Sequence, residues 1–137
     1  MNSVCYLLRR TNLEVTRRLT AELGKGTLAY SGSYDVIRVA GAHPGISQVE
    51  IARRLSVDKA NAALLIRSLE SKGWLARKRS TSDRRQRGVY LTASGEHRLR
   101  ALDRETSAFE TTLLSQFSRK EQQLLLDFLK RLADVTS

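Results

Sequence analysis

The sequence predicts a mainly α-helical fold with one small β-hairpin, and three observations indicate it. Two short segments with apolar residues at helical spacing lie close together between residues 46 and 72. A basic segment with the pattern of a hairpin follows at residues 76–91, and longer helical patterns occupy both ends of the chain. Such periodicity places the apolar side chains on one face of each helix. The order of these elements predicts a winged helix-turn-helix flanked by long terminal helices.

Two predicted helices come before the paired segments. The first runs from about residue 3 to residue 23 and has a broad apolar face with two pairs of arginines beside it. A loop rich in Gly and Ser leads to a shorter helix at roughly residues 33–40. Gly41 and Pro44 end this second helix, because neither residue favours its continuation.

The third predicted helix begins with a capping box. Ser47 stands three residues before Glu50, so that each side chain can satisfy a free backbone amide at the start of the helix. The residues expected on its apolar face are Val49, Ile51, Ala52 and Leu55. A break at residues 56–58 then separates this helix from the next.

The fourth predicted helix runs from Lys59 to about Lys72 and follows Asp58, a favourable N-cap residue. The residues expected to face the core are Ala62, Leu65, Ile66 and Leu69, and those expected on the opposite face are Lys59, Asn61, Ala63, Leu64, Arg67 and Ser68. Two helices joined by so short a turn are typical of a helix-turn-helix, whose second helix enters the major groove of DNA. The exposed face of this helix is therefore the predicted recognition surface.

The hairpin after this helix carries a high positive charge. Its predicted strands are residues 76–79 and 88–91, and only Asp83 offsets the cations at the tip. The arginines there are Arg84, Arg85 and Arg87. A basic loop beside a recognition helix is suited to contact a phosphate backbone or an adjacent minor groove.

The net charge also indicates a polyanionic partner. The 137 residues contain 24 Lys and Arg against 14 Asp and Glu, which gives a formal net charge of +10. Alone, this excess would suit RNA, DNA or an anionic membrane surface. The position of the cations beside a helix-turn-helix favours double-stranded DNA. No apolar segment is long enough to span a membrane and no signal peptide opens the chain, so we expect a cytoplasmic protein.

The sequence gives no indication of catalysis or metal binding. Cys5 is the only cysteine, which excludes an intrachain disulfide and a cysteine-based zinc site. His43 and His97 lie far apart without ligand spacing, and we find neither a glycine-rich phosphate loop nor a catalytic triad pattern. We therefore expect neither an enzyme nor a bound cofactor.

Two long helices are predicted after the wing. Thr92 can cap the first, and Ser118 with Glu121 forms a second capping box before the last. Together with the first helix they carry more apolar surface than a lone winged helix can cover, which predicts a symmetric homodimer. We expect a DNA-binding lobe at residues 31–99 and dimerisation helices at residues 1–30 and 100–137.

The segment SLESKGWLARKRSTSDRRQRGVYLTASG resembles the signature of the MarR family of winged helix-turn-helix regulators. Its strongest marks are the Asp83-x-Arg85 step in the wing and the Leu91-Thr92-x-x-Gly95 exit. The resemblance implies a dimeric transcriptional regulator, with the terminal helices at the dimer interface. One departure is that members often have Thr-Arg in the middle of the recognition helix, where this chain has Ala63-Leu64.

The predicted contacts to double-stranded DNA lie on the two paired helices and the wing. Asn61 can pair with an adenine edge, and Lys59 or Arg67 can reach guanine or phosphate. Leu64 can contact a thymine methyl group or pack on the wing, and the resemblance implies that Asp83 holds Arg85 for the shape of the wing. The full set is Ser47, Gln48, Lys59, Ala60, Asn61, Leu64, Arg67, Lys78, Arg79, Arg84, Arg85, Gln86 and Arg87.

The resemblance also implies control by a signal. Many members release DNA when an aromatic or phenolic anion enters a cleft between the dimer helices and the DNA-binding lobe. The candidates to line such a cleft are Tyr6, Arg9, Arg10, Arg17, Tyr30, Tyr34, Arg38 and His43. Their alternative roles are those of arginines on a solvated helix face and tyrosines at the rim of a core.

Cys5 is a candidate redox sensor. The run Cys5-Tyr6-Leu7-Leu8 is similar to the start of the organic-hydroperoxide-sensing branch of the family. In that branch, tyrosines of the partner subunit form hydrogen bonds to the sensing cysteine, and Tyr30 falls near a matching position in this sequence. The alternative is a small buried hydrophobic residue on the first helix.

The sequence as a whole predicts a homodimeric repressor that binds a pseudo-palindromic operator and is released by a small molecule or an oxidant. Two alternatives come from other classes of protein. One is a non-specific architectural DNA-binding protein, and the other is a winged-helix adaptor that docks on another protein through Leu64.

Overall fold

A computed structural model describes residues 2–24, 31–79 and 87–135 of the chain. In those ranges the elements are α1 (Val4–Leu23), α2 (Gly32–Ala42), α3 (Gln48–Arg54), α4 (Lys59–Ser71), β1 (Leu75–Arg79), β2 (Arg87–Leu91), α5 (Ala93–Leu113) and α6 (Arg119–Val135). The mainly helical fold with one hairpin is confirmed. The second helix is slightly longer at both ends than the sequence predicted.

Short polar side chains fix where the helices begin. Each cap oxygen accepts a hydrogen bond from the backbone amide three residues later, which satisfies one of the free donors of the first turn. The cap residues of the first five helices are Ser3, Ser31, Ser47, Asp58 and Thr92. Ser118 does the same before α6, and the carboxylate of Glu121 accepts from the Ser118 amide at 3.4 Å, which completes the predicted capping box.

The predicted capping box of α3 forms only in part. The Ser47 hydroxyl accepts from the Glu50 amide at 3.2 Å, but the Glu50 carboxylate turns to the guanidinium groups of Arg53 and Arg54 instead of the Ser47 amide. Two cations within one helical turn are stronger partners than one amide. Val49, expected on the inner face, is 62% exposed.

The main core lies between α2, α3, α4, the hairpin and α5. On α4, the predicted inward residues Ala62, Ile66 and Leu69 are fully buried, and Leu65 is half-buried at the edge. Their neighbours in this core include Ile37, Ile51, Val89 and Leu102. Because each of these five parts contributes to one cluster, burial determines which face of α4 remains open to solvent.

The hairpin is antiparallel and is tied to the segment before α3. Val89 donates to the Ile46 carbonyl at 2.8 Å, and Gly45 donates to the Val89 carbonyl at 2.9 Å. Gly88 lies so close to this segment that a Cβ atom there would stand 2.6 Å from the Gly45 carbonyl oxygen. The wing and the helix-turn-helix therefore form one packed unit.

Trp74 lies at the junction of α4, the hairpin and α5. Its amide donates to the Leu69 carbonyl at 3.0 Å, and its carbonyl accepts from the Thr92 amide at 3.1 Å. The charged ends of Lys72 and Arg98 lie 5.1 Å and 5.4 Å from the centre of its ring. These contacts connect the recognition helix to the start of α5.

The two terminal helices leave much of their apolar surface uncovered. A small second core joins Leu19 of α1 to Phe109 of α5. The remaining large apolar side chains of α6 are between 36% and 53% exposed, namely Leu124, Leu125, Leu126, Phe128, Leu129 and Leu132. In the described ranges, no helix is long and apolar enough to cross a membrane.

Candidate nucleic-acid interface

The outward face of α4 presents three predicted contact residues in a row. Ala60, Leu64 and Arg67 are all exposed, on the side of the helix opposite the buried Ile66. They follow one another at spacings of four and three residues, so they lie on adjacent turns of one face. Lys59 is also exposed, in the first turn of the helix. The face around Leu64 therefore offers one cation, Arg67, beside a small apolar centre.

Asn61 has a second role besides any contact with DNA. Its backbone amide donates to one oxygen of the Asp58 carboxylate at 2.7 Å, and its side-chain amide donates to the other oxygen at 3.1 Å. A bidentate contact with adenine uses both the amide nitrogen and the amide oxygen of asparagine. In this structure the cap already uses one of the two N–H donors of the side-chain amide and holds the side chain toward Asp58.

The start of α3 combines predicted contact residues with an acidic neighbour. Ser47 and Gln48 are half-buried, and the Ser47 hydroxyl serves as the cap of the helix. The hydrogen bonds from Arg53 and then Arg54 lower the pKa of Glu50 to about 2. Glu50 therefore remains charged at any physiological pH and neutralises part of the basic surface at this end of the motif.

The two strands of the wing bring cations directly opposite each other. Arg79 is the register partner of Arg87, and both side chains are exposed, as is Lys78. Like charges at facing positions of a hairpin repel, so a bound anion at this position would relieve an unfavourable contact. The third cation of β1, Arg77, is half-buried and donates to the Glu70 carboxylate at 2.8 Å, which removes it from this surface. The predicted contacts Arg84, Arg85 and Gln86, and Asp83 beside them, lie outside the described residues.

Of the predicted effector residues, Tyr34 and Arg38 lie together on α2. The Tyr34 ring is buried, its hydroxyl donates to the Asp103 carboxylate of α5 at 2.6 Å, and the Arg38 guanidinium lies 5.5 Å from the ring centre. Burial, followed by the hydrogen bond to Asp103, raises the pKa of Tyr34. Tyr34 thus connects α2 to α5 in the structure of the single chain.

The other predicted effector residues are spread over separate surface hollows. Arg10 and Arg17 line one hollow on α1, where Arg17 pairs with Glu14 at 2.6 Å. Arg38 and His43 line another beside α2, and the His43 Nε2 atom is 3.1 Å from an Arg54 nitrogen. Arg9 is exposed and Tyr6 is half-buried on α1, while Tyr30 lies outside the described residues. Among the described residues of the single chain, these side chains do not line a common cleft.

Cys5 is exposed in the first turns of α1. Its thiol is therefore accessible in the single chain, and the redox role remains a prediction.

Sequence reasoning did not identify two acidic residues that organise this surface. Asp103 accepts the Tyr34 hydroxyl across 69 positions of sequence, and Glu70 neutralises Arg77 of the wing. No local signal marks Asp103. The helical spacing of α4 could have placed Glu70 near the start of the wing, because it lies in the last turn before the hairpin.

Comparison with known proteins identifies the fold and the general function of the proteins that share it. The MarR family model matches residues 30–86. Transcriptional regulator HosA of Escherichia coli is 29% identical over 131 residues, which cover 96% of this chain and 95% of HosA. The PcaV transcriptional regulator of Streptomyces coelicolor, solved in complex with its natural ligand, is 24% identical with a TM-score of 0.83, over 99% of this chain and 95% of PcaV.

A further solved structure is that of the transcriptional repressor CouR bound to a 23-mer DNA duplex. It is 27% identical, has a TM-score of 0.82, and covers 96% of this chain and 92% of CouR. All of these similar proteins are transcriptional regulators, and the matched segment contains the helix-turn-helix described above. Residues 30–86 of the chain are a MarR family segment, and the chain is a transcriptional regulator that binds DNA.

Proposed function

We propose that the protein is a homodimeric repressor that binds a pseudo-palindromic operator. Each chain inserts α4 into a major groove, while the wing contacts the flanking phosphate backbone. The observation that carries this proposal is the open outward face of α4 beside the exposed and facing Arg79 and Arg87. A recognition helix and a basic wing on one surface suit base contacts and backbone contacts respectively.

The proposed dimer rests on the uncovered apolar surface of the terminal helices. Side chains of α1, the end of α5 and α6 line a groove of about 440 Å³. Its apolar lining residues include Leu7, Leu8, Leu113, Leu125 and Leu129. An apolar surface of this kind is typical of an interface rather than of a solvated face. A second copy, related by a two-fold axis, would cover it with the same surface.

A two-fold dimer determines the form of the operator. Two recognition helices about one turn of DNA apart would read two half-sites in opposite orientation. Repression is proposed from the similarity to CouR, which is itself a repressor. Release would follow from an aromatic or phenolic anion, or from oxidation at Cys5, if either changed the spacing of the two helices, because both must fit the DNA at once.

The test is a selection of genomic fragments by the purified protein at near-physiological salt. We expect recovery of a shared inverted repeat, with half-sites about one helical turn apart. Bulk DNA without a shared sequence would contradict the proposal and favour an architectural protein, which should discriminate little between sequences. The matched variant carries Arg79→Ala and Arg87→Ala and should recover less DNA of every sequence.

The adaptor function has one observation in its favour, which is the exposed apolar side chain of Leu64. An adaptor that docks on protein through this residue would tolerate loss of the wing cations. If the Arg79→Ala, Arg87→Ala variant bound DNA as strongly as the unchanged protein, these two arginines would have no role in DNA binding and the adaptor function would gain support.

A further inference from the structure

Leu64 has an unusual position for a large apolar side chain. It is 58% exposed, whereas Ile66 and Leu69 of the same helix are completely buried and Leu65 is half-buried. With so much of its surface open to solvent, Leu64 does not belong to the core of the lobe. Of the two roles considered from sequence, packing on the wing is therefore the weaker.

Helix geometry places Leu64 at the centre of the face that would meet DNA. At about 100° per residue, Ala60 and Arg67 lie within roughly 60° of Leu64 around the helix axis. Ala60 is one turn before Leu64 and Arg67 nearly one turn after, and both are exposed. The small Ala60 side chain leaves room beside Leu64 for a base edge to approach.

The polar side chain nearest the start of this face is partly engaged elsewhere. Asn61 donates its side-chain amide to the Asp58 carboxylate at 3.1 Å, as part of the cap of α4. Loss of that contact would leave the cap weaker, so a bidentate contact of Asn61 with adenine competes with helix capping. The face thus offers apolar contact at its centre and a single cation, Arg67, beyond it.

Only one base presents an apolar group in the major groove, and that group is the C5-methyl of thymine. We propose that Leu64 selects thymine at a defined position of each operator half-site by packing on this methyl group. The inference rests on the proposed function, since it requires α4 to lie in the major groove. It adds the chemistry by which α4 discriminates between bases and the residue that performs it.

Replacing thymine by uracil removes the methyl group and leaves base pairing unchanged. The experiment is therefore a pair of selections from random duplex libraries, one containing thymine and the other uracil. From the first library, the unchanged protein should recover an inverted repeat with thymine at a fixed position. From the second library, it should recover a repeat in which that position shows no preference for any base. Leu64→Ala should recover, from both libraries, the motif without the thymine preference. Because alanine is a good helix former, α4 should remain helical in this variant.

Equilibrium binding to the recovered sequence gives the size of the effect. Uracil at the fixed position should weaken binding by about fourfold for each half-site, as expected for one methyl group removed from an apolar contact. Leu64→Ala should bind the two duplexes equally, whereas Leu64→Met should retain the preference for thymine. Arg67→Ala is the matched control on the same face, and it should weaken binding to both duplexes by the same factor.

The possible outcomes distinguish failure of the role of Leu64 from failure of the proposed DNA-binding function. The same motif from both libraries, or a thymine preference that survives Leu64→Ala, would overturn the role of Leu64 while leaving a specific DNA-binding protein in place. A motif from neither library would contradict sequence-specific DNA binding itself and the inference with it. Undiminished DNA binding by Leu64→Ala with no change in base preference would point to a protein partner for this residue.

Discussion

Tyr34 shows how one buried polar group connects the DNA-binding lobe to the long helix α5. Its ring is part of the core, and its hydroxyl donates to Asp103 at 2.6 Å. A buried hydroxyl without an acceptor destabilises a fold by about 1–3 kcal/mol. Asp103 therefore contributes to the relative position of α2 and α5, although its own side chain is exposed.

At the residue scale we predict a late titration of Tyr34. Burial, and then the hydrogen bond to Asp103, raise its pKa above the ordinary value of 10.0, so the folded state holds this proton more tightly than the unfolded state. The contribution of Tyr34 to stability should be constant below pH 10 and fall as the pH rises above it. When phenolate absorbance is followed, Tyr34 should ionise above pH 10.

Tyr34→Phe is the matched variant for this titration. It should remove the late step from the titration, and its stability should not show the loss that the unchanged protein shows above pH 10. A late step that survives in Tyr34→Phe would mean that another tyrosine is the buried one.

The helices of this fold differ in how much of their apolar surface is buried. α2 and α4 each bury one face in the main core, whereas α6 leaves its leucines between 36% and 46% exposed and Phe128 53% exposed. α1 has the same character, with Leu7 and Leu8 more than 40% exposed. The uncovered surfaces are thus concentrated on α1 and α6, two of the helices that the sequence assigned to dimerisation.

At the element scale we predict that α6 controls association. Leu125→Glu with Leu129→Glu would place two charges in the apolar groove, where their desolvation on dimerisation is unfavourable. The variant should sediment as a monomer at concentrations where the unchanged protein is a dimer. Val49→Glu is the control, because Val49 is 62% exposed on α3 and should leave the sedimentation unchanged. If the α6 variant sedimented as a dimer, the proposed interface would be wrong.

Element by element, local signals in the sequence predicted most of the fold. The caps at Ser47, Asp58 and Thr92 could be predicted because each cap contact spans three residues. The partner of Tyr34 could not, because Asp103 lies 69 positions away and only packing of α2 on α5 brings the two together. The placement of Val49 was wrong because a seven-residue helix gives too few turns for periodicity to define a face.

The candidate site was predicted less completely than the fold. The exposed face of α4 followed from helical periodicity, since the buried and open positions alternate as a 3.6-residue repeat requires. The neutralisation of Arg77 by Glu70 did not follow, because it depends on how the wing turns back toward the end of α4. The sequence therefore predicted the positions of the cations in the wing, but it did not predict which of them lack an acidic partner among the described residues.

The whole molecule has a charge that its surface does not distribute evenly. Its formal net charge is +10, yet the cations of α1 and α3 are partly neutralised by Glu14 and Glu50, whose pKa values the neighbouring arginines lower to about 2. Lys78, Arg79 and Arg87 of the wing strands are exposed, and none of them is in an acidic ion pair within the described residues. The excess positive charge is thus placed where the proposed DNA contact lies.

At the scale of the whole molecule we predict a steep dependence of DNA affinity on salt. Each phosphate contact releases a counterion, and the slope of log affinity against log salt falls by about one for each such cation removed. Arg79→Ala with Arg87→Ala should therefore reduce the slope by about two for each chain bound. Arg17→Ala is the control, because Arg17 lies on α1 and pairs with Glu14. An unchanged slope in the wing variant would exclude these two residues from phosphate contact.

The position of Trp74 makes its fluorescence sensitive to movement of α4 relative to α5. The chain contains a single tryptophan, and its ring lies close to a cation at the end of α4 and to another near the start of α5. Any displacement of the recognition helix relative to α5 would change the distance of one charge from the indole and so shift its emission. Intrinsic fluorescence can therefore follow movement of the DNA-binding lobe in the unlabelled protein, in real time and without altering a residue.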